Sequence, residues 1–244
     1  MSGPLYPRCR THPSNCSRPA FTRIELCAVL CGIGLLTLVI APVLANTNAD
    51  SERAGCFNNL RLIGRGIATW TADHQQRLPW RVNLSEGGTL PDVYSGNKPG
   101  AAWYEFSVLS NGFGTPKILA CPSDIGVNPA TSFSEYLRAG FRGDATSYNL
   151  ALDVFPEIPQ AWVVSDRNFK ADSGFSECSA KVYNADTISP NSTSLAWTNR
   201  IHGPNSGHLL LNDGSVVFTD NATLRNLATR APDFQGSTHF LKAR

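Results

Sequence analysis

From Leu26 to Ala45 the chain reads LCAVLCGIGLLTLVIAPVLA, twenty residues without a charge, and one carboxylate, Glu25, stands at the start of that run. About 20 apolar residues is the length that crosses a bilayer's hydrocarbon core as a helix. An acid at the edge of such a span is costly unless it has a partner. The combination predicts a membrane-anchored protein that assembles through its anchor. Arg8, Arg10, Arg18 and Arg23 precede the run, whereas Asp50 and Glu52 follow it before the first base, Arg53. That asymmetry predicts a single-pass membrane protein, N-terminus cytoplasmic and C-terminal domain on the outer side.

Three readings of the segment compete. A secretory signal would be cut after Val43-Leu44-Ala45. A plain anchor explains the length but leaves Glu25 without a role. The third rests on a resemblance. Phe21-Thr22-x-Ile24-Glu25-Leu26 resembles the Phe-Thr-Leu-Ile-Glu-Leu start of type IV pilins and type II secretion pseudopilins. The resemblance implies cleavage between Ala20 and Phe21 by a prepilin peptidase and methylation of the new amine. Glu25 then lies fifth in the mature chain and pairs with the Phe21 amine of a neighbouring subunit, setting register as single buried polar groups do in coiled coils. Ala20 stands where the family usually has Gly, and Arg23 where it has an apolar residue.

Further islands extend the likeness. Arg53-x-x-Cys56-x-Asn58-Asn59-Leu60-Arg61-x-Ile63-Gly64, Cys121-Pro122-Ser123-Asp124 and Ser147-Tyr148-Asn149 resemble a planctomycete-type pseudopilin-like group. That group carries a C-terminal signature of His, nine residues, then Asp-Gly. Here ten residues lie between His202 and Asp213-Gly214, one more than that pattern.

The expected architecture is α+β and pilin-like: a long N-terminal transmembrane helix packed on a C-terminal antiparallel sheet. It divides into a leader (1–20), a transmembrane and assembly helix (21–45), an amphipathic extension (46–78) and a β-rich extracytoplasmic domain (79–244). In the extension, Cys56, Leu60, Ile63, Ile67, Trp70 and His74 recur every three or four residues, one helical face. A short helix is expected around Ala101 to Leu109. Strands are expected at Ile118 to Ala120, Ser147 to Leu152, Trp162 to Val164 and Leu195 to Trp197. Asn212-Asp213-Gly214 between His208–Leu211 and Ser215–Thr219 is a hairpin signal. A helix capped by Asp220 or Asn221 should follow.

Charge and cysteines narrow the function classes. A net charge of +2 predicts no nucleic-acid partner. The seven cysteines include no Cys-x-x-Cys, which argues against zinc ribbons and thioredoxin-like chemistry. Cys56, Cys121 and Cys178 follow the apolar run, and a Cys56–Cys121 disulfide would tie the long helix to the first strand. His202, His208 and Asp213 match no zinc signature. No metal ligand is therefore assigned and no cofactor is expected. Calcium stays open through Asp186, Asp213 and Asp220, although no Asp-x-Asp-x-Asp loop occurs. No Gly-x-Ser-x-Gly elbow is present, and no catalytic residue is expected. The expected role is structural, with a prepilin peptidase, other pilin or pseudopilin subunits and the inner membrane as partners. The alternative is an anchored, exported ligand-binding or enzymatic domain that does not polymerise.

Overall fold

The computed structural model describes residues 22–90, 101–171, 185–189, 192–230 and 236–243. The expected leader, Cys178 and the processing pair Ala20 and Phe21 lie outside the described residues. The chain divides into two compact units, Met1–Thr47 and Asn48–Arg244.

Helix α1 is assigned to Arg23–Asp73. Thr22 and Glu25 form a reciprocal cap at its start. Glu25 Oε2 accepts from the Thr22 backbone N–H at 2.8 Å and from the Thr22 hydroxyl at 2.9 Å, while Thr22 Oγ1 accepts from Glu25 N–H at 3.3 Å. The helix stops at Asp73 because Gln75 and Gln76 turn left-handed, with φ of 57° and 59°.

The expected transmembrane helix is corrected here. Among the described residues no helix is long and apolar enough to cross a membrane. The single-pass anchoring and inner-membrane localisation expected from the sequence fall with it. In this unit Ile24, Leu35 and Leu38 are 77%, 68% and 74% exposed.

The second unit is built on a six-stranded antiparallel sheet. Its strands are β1 (Tyr148–Ala151), β2 (Trp162–Asp166), β4 (Asp186–Ile188), β6 (Gly207–Leu211), β7 (Val216–Thr219) and β8 (Thr238–Leu241), in the order β4-β8-β1-β2-β6-β7. A two-stranded sheet pairs β3 (Phe169–Lys170) with β5 (Ala196–Trp197). β1, β2 and β6 are buried along their whole length, because α1 residues and the short helices cover them. Cys56, Leu60 and Ile63 of α1 are fully buried in the same core. Trp70 and His74 extend that face and stack on each other at 3.7 Å between ring centroids.

Helices α2 (Ala102–Val108), α3 (Ser110–Phe113) and α4 (Phe133–Tyr136) precede the sheet, and α5 (Asn221–Ala228) follows β7. Asp220 caps α5 by accepting Thr223 N–H at 2.8 Å. The strand expected at Ile118 to Ala120 is instead a 3₁₀ turn, Pro116–Leu119, with Pro116 in its first turn and Thr115 Oγ1 accepting Lys117 N–H. Proline at the start of a helical turn forfeits only a donor that had no partner there. Strands β3, β4 and β8 were not expected from the sequence.

Close backbone approach seats α1. A Cβ on Gly64 would fall 2.9 Å from Leu210 Cδ1 of β6, and one on Gly66 would collide with the Phe113 ring of α3. Gly66→Ala, normally favourable in a helix by about 1 kcal/mol, should here destabilise the protein by about 1–3 kcal/mol through overpacking. Gly32→Ala, with nothing within 4 Å, should cost nothing. Urea unfolding of both variants checks the contrast.

Candidate functional site

The densest cluster of chemically able side chains lies where α1, β2, β6 and the turn before β6 meet. Antiparallel pairing sets Ser165 of β2 opposite Leu209 of β6, so the next positions outward bring Asp166 to His208. Asp166 Oδ2 accepts the His208 backbone N–H at 2.6 Å and lies 3.1 Å from His208 Nδ1. His202 enters from the turn, its Nε2 being 3.0 Å from the same oxygen and 3.3 Å from His208 Nδ1. The two rings meet edge to face. Asp166, His202 and His208 are 0%, 4% and 2% exposed. Asp166 Oδ1 and His202 Nδ1 have no hydrogen-bond partner among the described residues.

Burial alone would raise the Asp166 pKa. The hydrogen bonds from His202 and His208 outweigh it and hold the carboxyl below the ordinary aspartate value. Tyr148, beneath the site on β1, is pushed well above its ordinary value, first by burial and then by the negative charge of Asp166.

The disulfide forms one wall. Cys56 of α1 and Cys121 are bonded, with Cα atoms 4.8 Å apart. Cys121 Sγ lies 3.6 Å from His202 Nε2. Just beyond, Asp124 of the Cys121-Pro122-Ser123-Asp124 run receives a two-pronged pair from Arg167, at 2.6 Å and 2.9 Å. Both partners are largely buried, at 10% and 5% side-chain exposure, so the pair fixes the loop after Cys121 to the end of β2. Phe218 of β7 covers the outer side, its ring 4.9 Å from that of His208 and under the Arg53 guanidinium.

A second aspartate–histidine pair follows the same rule on the neighbouring strands. Asp153, just after β1, accepts both the backbone N–H and Nδ1 of His239 on β8, each at 2.7 Å.

The expected motif residues separate. Asp213 and Gly214 form the β6–β7 turn: Asp213 Oδ1 accepts from Ser215 N–H and Oγ at 2.8 and 2.6 Å, and Gly214 adopts φ 83°. His202 sits near His208 at the other end of β6. Five residues of strand, about 17 Å, part His208 from Asp213. The acid beside the histidines is Asp166, whose signal was an aspartate closing an apolar strand. The acids considered for calcium also scatter: Asp186 pairs with Lys242 at 2.8 Å, Asp213 holds its own turn and Asp220 caps α5. Glu25 lies in the first unit, where Thr22 donors hold its carboxyl below the ordinary glutamate value. Cys27 and Cys31 are exposed free thiols on α1.

Two outcomes follow. Because the Asp166 pKa is depressed in the folded state, its contribution to stability is complete above about pH 4 and is lost as the pH falls through the lowered value. Urea melts over a pH series should show that loss in the natural chain and a shallower acid limb in Asp166→Asn. Removing the disulfide as Cys56→Ser/Cys121→Ser, whose ends are separated by 65 positions in sequence, should cost about 2–5 kcal/mol. Denaturant unfolding under non-reducing conditions measures it.

No family model matches the chain, and no solved structure matches it. Among curated proteins, the ComG operon protein 3 homolog of Bacillus licheniformis is 27% identical over 70 residues, covering 29% of this chain and 72% of that protein. That relative is pilin-like, and the likeness points this chain toward a pilin-like family.

Proposed function

We propose that the chain is a pilin-like structural subunit that assembles with like subunits into a filament or secretion pseudopilus and catalyses no reaction of its own. The observation that carries the reading is the apolar surface of the first unit. Ile24, Leu30, Leu35, Leu36 and Leu38 are each more than half exposed on one helix, and apolar residues in such numbers mark an interaction surface. The likeness to a pilin-like relative supports helices of other subunits as the cover. Leu, Ile and Val around the helix let neighbours pack on several sides, which a filament core requires.

In this reading a prepilin peptidase cuts before Phe21, and the new amine meets Glu25 of an adjoining copy. Within one chain Thr22 already satisfies Glu25, so the carboxylate stays ionised and ordered until that amine arrives. The globular unit, closed by its disulfide and buried ion pair, is displayed on the filament surface.

Mass spectrometry of the native protein should find a chain beginning at Phe21, one methyl heavier than the bare sequence. Glu25→Ala should fold normally but be missing from sheared filaments by immunoblot. A native chain that keeps residues 1–20, or normal incorporation of Glu25→Ala, would overturn the reading.

A further inference from the structure

We propose that Asp166 Oδ2, His202 Nε2 and His208 Nδ1 form a binding site for one divalent transition metal of the zinc class, with the Cys56–Cys121 disulfide intact. The three atoms stand 3.0, 3.1 and 3.3 Å apart, a near-equilateral triangle. Tetrahedral zinc, with bonds of about 2.0–2.1 Å to nitrogen and carboxylate oxygen, sets its ligand atoms about 3.3 Å apart. An ion at that distance from all three lies about 1 Å out of their plane and keeps a fourth direction for water.

Protons satisfy this triangle poorly. If both imidazoles carry N–H toward Oδ2, two ring donors crowd one oxygen that already accepts the His208 backbone N–H at 2.6 Å. If one is bare at that nitrogen, its lone pair faces the carboxylate at about 3 Å, a repulsive contact in a low-dielectric site. A cation reverses the conflict, because three lone pairs then converge on one positive charge. Two imidazole nitrogens and one carboxylate favour zinc-like ions over calcium or magnesium, which prefer all-oxygen shells. The second shell is in place: the His208 backbone N–H on Oδ2 fixes the carboxylate, and the Phe218 ring shields the outer side.

The disulfide defines the limits of the site. Cys56, Cys121 and His202 form a second possible ligand group that shares His202. While the sulfurs are bonded to each other they offer no thiolate, so the oxygen–nitrogen set holds the ion alone.

The test uses the full chain, disulfide intact, stripped with chelator and titrated with Co²⁺ and then Zn²⁺. The expected result is one equivalent of Co²⁺ with visible ligand-field bands of a four-coordinate ion, displaced by Zn²⁺ and unaffected by excess Mg²⁺ or Ca²⁺. Zn²⁺ should also raise the thermal midpoint of the oxidised protein. Asp166→Asn and His202→Ala should lose the spectrum, whereas Asp213→Asn, at the far end of the hairpin, should keep it. Absence of the bands and of the thermal shift in the natural chain would overturn the site, whatever the variants do. So would retention of the spectrum in a folded His202→Ala protein. Binding seen only after reduction, with a sulfur-to-metal charge-transfer band, would also overturn it by moving the ion to the cysteines.

Discussion

The bond between Cys56 and Cys121 is the constraint from which the rest of the globular unit is arranged. It fastens the buried face of α1 to the loop that leads toward β1, and that loop then fixes the end of β2 through Asp124 and Arg167. With β2 fixed, Asp166 is delivered beneath His208 and beside His202. A covalent closure over 65 residues removes much of the entropy of the unfolded chain. That matters in a domain whose connections are long and whose strands are short.

The two units answer opposite demands. In the second, Gly64 and Gly66 bring backbone onto Leu210 and Phe113, and aromatic rings fill the space behind β2 and β8. In the first, large aliphatic side chains point into solvent along α1. A single chain keeps both features only if the apolar helix is covered by something outside itself, the physical ground for a subunit reading.

Much of the second unit was legible in the residues. Asp213-Gly214 announced the hairpin because a tight turn between apolar strands needs left-handed backbone, and Gly214 takes it. The stripe from Cys56 to Ile67 announced the buried face of a helix. The apolar run from Leu26 to Ala45 reads as a membrane span, whereas among the described residues no helix is long and apolar enough to cross a membrane. The site was half legible. Both histidines stood out, but the acid was sought nearby in sequence, at Asp213, whereas Asp166 lies 42 residues before His208 and reaches it only through strand pairing. Proximity created by a sheet leaves no local mark. The 3₁₀ turn at Pro116–Leu119 was misread for a related reason: three apolar letters in a row suit a strand as well as a turn.

The twin aspartate–histidine pairs act as keys between strands. Each carboxylate grips one neighbour's main chain and the imidazole of that same residue, so it recognises a particular position and not merely an adjacent backbone. Sliding β6 or β8 by two residues would preserve the alternation of inward and outward side chains, yet strand a buried anion without its cation-like donors. Slippage is thereby penalised on both flanks of the β1–β2 pair.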